Sequence, residues 1–181
     1  MKYSQLRYVG VTIVFIAAWL LVRSVATEGY SSDIWRAAST GDIEGVKRYI
    51  SEKKDLNVND PMFGSTPLIS ASVFGQTQVV RLLIDNGARL NETNKKGSTA
   101  LHSAAFLGRS EIVRLLLEGG EDKDAKNNNN QTPLEIVEQE WNKELENIYT
   151  FLEQTLRIPV DLEKIKAERP RIAEFLKNHK N

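Results

Sequence analysis

Two segments carry nearly the same order of apolar and charged positions: Val79-Val80-Arg81-Leu82-Leu83-Ile84 and Ile112-Val113-Arg114-Leu115-Leu116-Leu117. Each is an apolar stripe broken by one arginine, the pattern of an amphipathic helix with one buried face. Ahead of each lies a shorter segment that opens on a threonine: Thr66-Pro67-Leu68 running into Ala71-Ser72, and Thr99-Ala100-Leu101 running into Ala104-Ala105. A threonine hydroxyl accepts a hydrogen bond from the free N–H groups of a first helical turn, and proline is tolerated there. Both threonines therefore predict helix starts, and the small residues that follow let a short helix pack close to its neighbours. Gly75 and Gly108 then break the chain at a tight turn, and Gly87 and Gly120 end the second helix of each pair.

The pairs are one unit repeated. Thr66, Thr99 and Thr132 follow one another at steps of 33 residues, and Thr132-Pro133-Leu134 restores the opening of Thr66-Pro67-Leu68. Gly75 with Gly108, Val80 with Val113, Leu83 with Leu116 and Gly87 with Gly120 keep the same step. One helix pair cannot bury its own apolar face, whereas stacked pairs can, so the pattern predicts an all-α solenoid.

Thr66-Pro67-Leu68, Thr99-Ala100-Leu101-His102, the turn glycines and Gly87-Ala88-Arg89-Leu90-Asn91 resemble the ankyrin repeat, a two-helix unit with a projecting hairpin finger. The resemblance covers about residues 33–155 and implies an ankyrin-repeat solenoid of about four helix-turn-helix units, at about 33–64, 65–97, 98–130 and 131–155, within a domain spanning 27–155. The first unit lacks the Thr-Pro start and holds one extra residue, since Gly41 to Gly75 is 34. Ser32 or Asp33 is expected to cap its first helix. In the fourth unit Trp141 stands where the turn glycine belongs, and apolar spacing runs on through Leu145, Ile148, Tyr149, Leu152 and Leu156. Either one lengthened helix or two helices with a tighter junction fits that run. Pro159 ends it. A last helix is expected from about Asp161, interrupted at Pro170 and followed by a short helix bearing Ile172, Phe175 and Leu176, so that 156–181 form an extra C-terminal helical cap.

What the resemblance implies about function is binding, because the family generally holds proteins with its finger tips and with the groove of its first helices. The two residues before each turn glycine face that groove. Here they are Val73-Phe74 and Phe106-Leu107, between Ser39-Thr40 and Gln139-Glu140. The fingers bring Met62-Phe63 and Lys95-Lys96. Apolar residues rimmed by polar ones mark interaction sites. The competing assignment packs Val73, Phe74, Phe106 and Leu107 between adjacent repeats or under the elongated C-terminal helix. The family's use of His102 is structural, bonded to backbone and to its own repeat's threonine. Asn127 to Asn130 fit a finger turn, because asparagine tolerates the left-handed region. Glu138, Glu140, Glu144 and Glu146 read as an ordinary solvated face. Trp35 and Trp141 read as covers for the stack ends.

Composition narrows the chemistry. There are no cysteines and two histidines, His102 and His179. Thiol catalysis, disulfides and cysteine-built metal sites are excluded, and no metal centre or cofactor is expected. The 24 Lys+Arg balance the 24 Asp+Glu, which argues against a nucleic-acid binder. That balance hides an asymmetry. Residues 1–26 hold Lys2, Arg7 and Arg23 and no acid, leaving 21 against 24 in residues 27–181. The charge-free run from Tyr8 to Val22 has 15 residues and follows Lys2 and Arg7, as in a secretory signal peptide. Ser24-Val25-Ala26 offers a cleavage site before Thr27, although Arg23 lies between it and the apolar run. Uncleaved, the run would be a membrane anchor, short at roughly 22 Å against a hydrocarbon core of about 30 Å. Both readings put the remainder outside the cytoplasm.

The expected protein is thus a non-enzymatic binding module, periplasmic or otherwise extracytoplasmic, soluble after cleavage or held in the inner membrane through residues 8–22. A bacterial envelope is implied by the resemblance to small exported ankyrin proteins. It is expected to be a monomer apart from one protein partner. Within that class stand an inhibitor or immunity-type protein and an accessory scaffold for an envelope enzyme such as one of peroxide defence. A membrane-tethered adaptor and an envelope hydrolase using paired carboxylates are further alternatives.

Overall fold

A computed structural model describes residues 34–179, so the leader of residues 1–26 and the caps assigned to Ser32 and Asp33 lie outside the described residues. Nine helices and no strand occur among the described residues. They fall into two compact units, one of residues 34–140 with 161–179 and one of residues 141–160.

The larger unit is built from helix pairs. α1 (Ile34–Thr40) precedes α2 (Ile43–Ser51), α3 (Pro67–Phe74) precedes α4 (Thr77–Asp85), and α5 (Ala100–Phe106) precedes α6 (Ser110–Glu118). Short α7 (Pro133–Glu138) follows. The first helices pack in a row, α1 on α3, α3 on α5 and α5 on α7. The second helices form a second row, α2 on α4 and α4 on α6. Val46, Val79, Val80, Leu83, Val113 and Leu116 are completely buried between the rows, joined by Ala71, Ala104 and Ala105 from the first helices. Small residues on the first helices bring the rows together, and branched residues on the second fill the space.

Local chemistry fixes each start and stop. The Thr66, Thr99 and Thr132 hydroxyls accept from the Ile69, His102 and Glu135 amides. Around Thr132 the cap is reciprocal, because the Glu135 carboxylate accepts from the Thr132 N–H at 2.7 Å. The bond from the Thr132 N–H, aided by the Thr132 hydroxyl, holds the Glu135 carboxyl below its ordinary pKa. Gly75 and Gly108 turn the chain at φ +74° and +66°. At Gly108 a side chain would also meet the Cα of Ile165 at 3.0 Å, so both conformation and space demand glycine there.

At the C-terminal end one of two open readings holds and one expectation changes. The apolar run beyond Trp141 forms a separate helix, the second of its two readings, and is not a continuation of α7. Helix α7 stops at Glu138, and the chain extends at Gln139 (ψ 138°) before a new helix, α8 (Lys143–Leu156), begins. The final helix, α9, runs unbroken from Leu162 to Asn178 with Pro170 inside it, rather than as two helices parted by that proline. Burial on both sides of Pro170 overrides its cost of about 3 kcal/mol: Ile165, Arg169, Ile172 and Leu176 are all buried while Pro170 points to solvent. Helix α9 packs against α7 and against α6, which is where the second helix of a fourth repeat would stand. Ile165 meets Gly108 just as Gln76 meets Gly41 and Arg109 meets Gly75 in the preceding repeats. Arg169 completes the junction, donating from Nη2 to the carbonyls of Ile136 (3.0 Å) and Gln139 (2.8 Å) and so satisfying the open end of α7. The fourth pair is therefore assembled from segments separated by residues 141–160.

In the smaller unit, the Asn142 side chain caps α8 by accepting from the Leu145 N–H, and Arg157 ends it at φ +52°. Trp141 stacks on Tyr149 with ring centroids 5.5 Å apart, and its indole N–H donates to Glu146 at 2.8 Å.

Candidate functional site

The expected groove residues separate on burial. Leu107 is only 4% exposed and belongs to the interior. Val73 packs against the core with part of its surface open. Phe74 and Phe106, the last residues of α3 and α5, remain partly exposed. The repeat explains the split. Val73 and Phe106 share one register position, Phe74 and Leu107 the other, so each repeat offers one open aromatic from a different position. Ser39 and Gln139, at the first of these positions, are partly exposed, and Thr40 and Glu140, at the second, are exposed.

The finger tips are ordered by their own side chains. The turn from Asp60 to Ser65 closes with Asp60 N–H donating to Ser65 C=O, and the Asp60 carboxylate accepts from the amides of Met62, Phe63 and Ser65. The next two fingers close one residue sooner, Asn94 to Ser98 and Asn127 to Gln131. This locates the extra residue of the first unit: it enlarges the tip that carries Met62 and Phe63, both partly exposed. Asn94 and Asn127 repeat the side-chain brace of Asp60, and Asn130 takes φ +60° as the finger reading requires.

Neighbouring fingers are tied together. The Lys95 amide donates to Phe63 C=O at 2.9 Å, and its ammonium donates to Pro61 C=O at 2.8 Å and Met62 C=O at 2.9 Å. One repeat later the Asn128 amide donates to Lys96 C=O, and its side chain to Lys95 C=O. Lys95 thus clasps the preceding tip, and Lys96 is only partly exposed. At the finger roots Asn57 accepts from the Arg89 amide and Asn91 from the Asp122 amide, a second rung repeated along the stack.

Below the fingers lies a buried polar cluster. His102 is 1% exposed; its Nδ1 accepts from the Thr99 amide at 3.3 Å, and its Nε2–H donates to Gln131 C=O at 3.0 Å. Thr99 Oγ1 sits 2.9 Å from the same Nδ1. Burial lowers the His102 pKa below 6.5, keeping the ring neutral despite the Gln131 bond, and this is the structural use expected of it. Sequence reading missed the neighbour of this cluster, Glu121. It is 1% exposed, and Oε1 accepts from the Leu101 amide at 2.8 Å. Among the described residues Oε2 has no hydrogen-bond partner. Burial, opposed by Thr99 and Leu101, lifts its carboxyl to about 7. The signal was present in the repeat: Gly87-Ala88 aligns with Gly120-Glu121, placing a carboxylate where the previous unit buries a methyl group.

Pro67 and Pro133 are buried in the first turns, Leu68 and Leu101 are in the core, Leu134 packs against it, and Gly87 and Gly120 turn at φ +84° and +90°. Of the acids expected to be solvated, Glu138, Glu140 and Glu144 are exposed; Glu138 pairs with Lys177 of α9, and Glu146 pairs with Lys143. Trp35 is partly buried and donates to Val58 C=O. Among the described residues no helix is long and apolar enough to cross a membrane.

Comparison with known proteins agrees with this geometry. A model of ankyrin repeats in three copies matches residues 34–131, more than half of the chain. The chain is similar to the crystal structure of the ankyrin repeat domain of Bcl-3, described as a unique member of the IkappaB protein family, at 32% identity and a TM-score of 0.55. The match covers 64% of this chain and 49% of that one, so this chain spans about half the length of its neighbour. The repeated caps, turn glycines, stacked helix pairs and fingers are those of a protein–protein interaction scaffold, and the chain belongs to the ankyrin repeat family.

Proposed function

We propose that this chain captures one partner protein through its groove and finger tips, outside the cytoplasm, as an inhibitor or immunity-type protein. The observation that carries the reading is the pair Phe74 and Phe106. Both stay partly exposed at the ends of adjacent, packed first helices, with polar residues at the same positions on either side. Aromatic side chains in such settings supply most of the binding energy of an interface. Met62 and Phe63 extend the apolar surface onto the enlarged first finger. The charge-free run 8–22 behind Lys2 and Arg7 supports export, and the deficit of positive charge in residues 27–181 suits a basic partner surface.

The test is capture of a partner by the full chain, compared with a Phe74→Ser/Phe106→Ser double variant. Loss of the captured protein with thermal unfolding shifted by only a few degrees supports the groove. Capture that survives, or a variant that no longer folds, returns both rings to packing between repeats. Cell fractionation tests location separately, and full-length protein in the cytosol overturns export.

A further inference from the structure

Glu121 is the buried acid that the binding function does not use. Its carboxyl lies at the start of the segment leading from α6 to the fourth repeat and reaches the first turn of α5. An ionised carboxylate has room for about four hydrogen bonds. Here Oε1 has the Leu101 amide, Thr99 approaches the group, and Oε2 has nothing. Among the described residues no ion pair reaches it. Glu111 and Glu118 of α6 are solvent-exposed. Asp122 is next in the chain and adds a like charge, while its own amide is held by Asn91 of the preceding finger. Lys123 turns to Asp124 instead. His102 stands beyond Thr99 on α5, and burial disfavours its charged form. From α6, Arg114 is solvent-exposed. The positive end of the α5 dipole and the Leu101 amide favour the anion, and removal from water opposes it more strongly.

We propose that Glu121 is a proton-operated latch between α5 and the segment 119–131, closed when its carboxyl is protonated and opened when it is ionised. Protonation, by a proton from solvent, discharges Oε2 and leaves the Leu101 bond to Oε1 in place. Ionisation leaves an anion short of donors, and relief comes from letting water reach it. The Leu101 bond joins Glu121 to the first turn of α5, and parting that turn from residues 119–121 is the opening that admits water. His102 spans the same gap from the other side through Gln131, so the segment feeding the fourth repeat loosens with it. The latch does not depend on which partner the groove holds.

Amide exchange on the full chain, corrected for intrinsic rates, tests this between about pH 6 and pH 8. The Leu101 amide and residues 119–131 are expected to lose about tenfold in protection across that range, while Glu121→Gln, which keeps an acceptor and no charge, holds constant protection. Unchanged protection in the natural chain, or the same loss in Glu121→Gln, overturns the latch. The carbon-13 shift of the Glu121 carboxyl is a second readout. A midpoint near 7 that coincides with the loss of protection supports the latch, and an ordinary midpoint near 4.5 overturns it.

Discussion

The second and third repeats share one skeleton and differ in what they bury. Both start on a capping threonine, turn at a glycine with positive φ and close on a leucine with no exposed surface, Leu83 in one and Leu116 in the other. At the position of His102 the second repeat carries Ile69, and at the position of Glu121 it carries Ala88, all four buried. The second repeat is thus held by shape and apolar burial, which are indifferent to pH. The third adds directional bonds made by two groups that titrate, His102 and Glu121. Threading a polar cluster through a repeat leaves the helix pair intact, because the 33-residue step fixes the caps and the leucine faces, while the root of the finger is free to vary.

The largest effects should fall on what the two repeats share. Leu83→Ala and Leu116→Ala are each expected to cost about 2–5 kcal/mol, read by denaturant unfolding, because each empties a fully buried site. Equal costs confirm that the skeleton is common. A much smaller cost at Leu116 would mean that the polar cluster carries the third repeat.

Next comes His102→Ala, expected to cost about 2–3 kcal/mol, since it strands the buried Thr99 amide and the part-buried Gln131 carbonyl and empties a buried site. Hydrogen exchange should place the loss at the junction of the third and fourth repeats. Loss spread evenly over the stack would show that the ring matters by volume alone, as Ile69 does.

The two titrating groups act in opposite directions. Glu121 rises from 4.5 to about 7 on folding, so its contribution to stability is complete below about 4.5 and is lost as pH rises through about 7. His102 falls below 6.5, so its contribution is present above about 6.5 and is lost as pH drops through its lower, folded value. Glu121→Ala should remove a decline of about 1–3 kcal/mol between about pH 5 and pH 8. It also deprives the Leu101 amide of its acceptor, a cost of about 1 kcal/mol that lowers the whole curve and leaves its slope flat. Unfolding midpoints that track the natural chain at every pH would remove Glu121 from the account.

Much of this was legible in the sequence because the repeat turns single residues into registered positions. Thr66, Thr99 and Thr132 announced their caps, and Gly75 and Gly108 their turns, since each rests on chemistry local to a few residues. The fourth pair was not legible. Nothing between Trp141 and Val160 says that the chain departs and returns, and the partner of α7 is decided by Ile165 and Arg169, distant in sequence. Pro170 misled because its local cost is real and its surroundings outweigh it. At the groove, sequence could name Phe74 and Leu107 as equivalents and could not say that one stays open while the other is buried.

The smallest expected effect lies at the fingers, where the two middle repeats differ again. The clasp from the second finger to the first uses a lysine ammonium on two carbonyls, and the clasp from the third to the second uses the Asn128 amide on one. Lys95 is exposed, so water competes for its bonds and the ordering of a long side chain offsets part of the gain. Lys95→Ala should therefore cost less than about 1 kcal/mol, while the backbone bond from Lys95 to Phe63 keeps the fingers in register. Its effect on partner capture should be larger than on stability, because the freed carbonyls belong to Pro61 and Met62 at the enlarged tip. Asn128→Ala is the control: it trims the other clasp, away from Met62 and Phe63. If both substitutions weaken capture equally, the first finger holds no privileged place. If Lys95→Ala alone does so at unchanged stability, the extra residue between Asp60 and Ser65 shapes the surface that meets the partner.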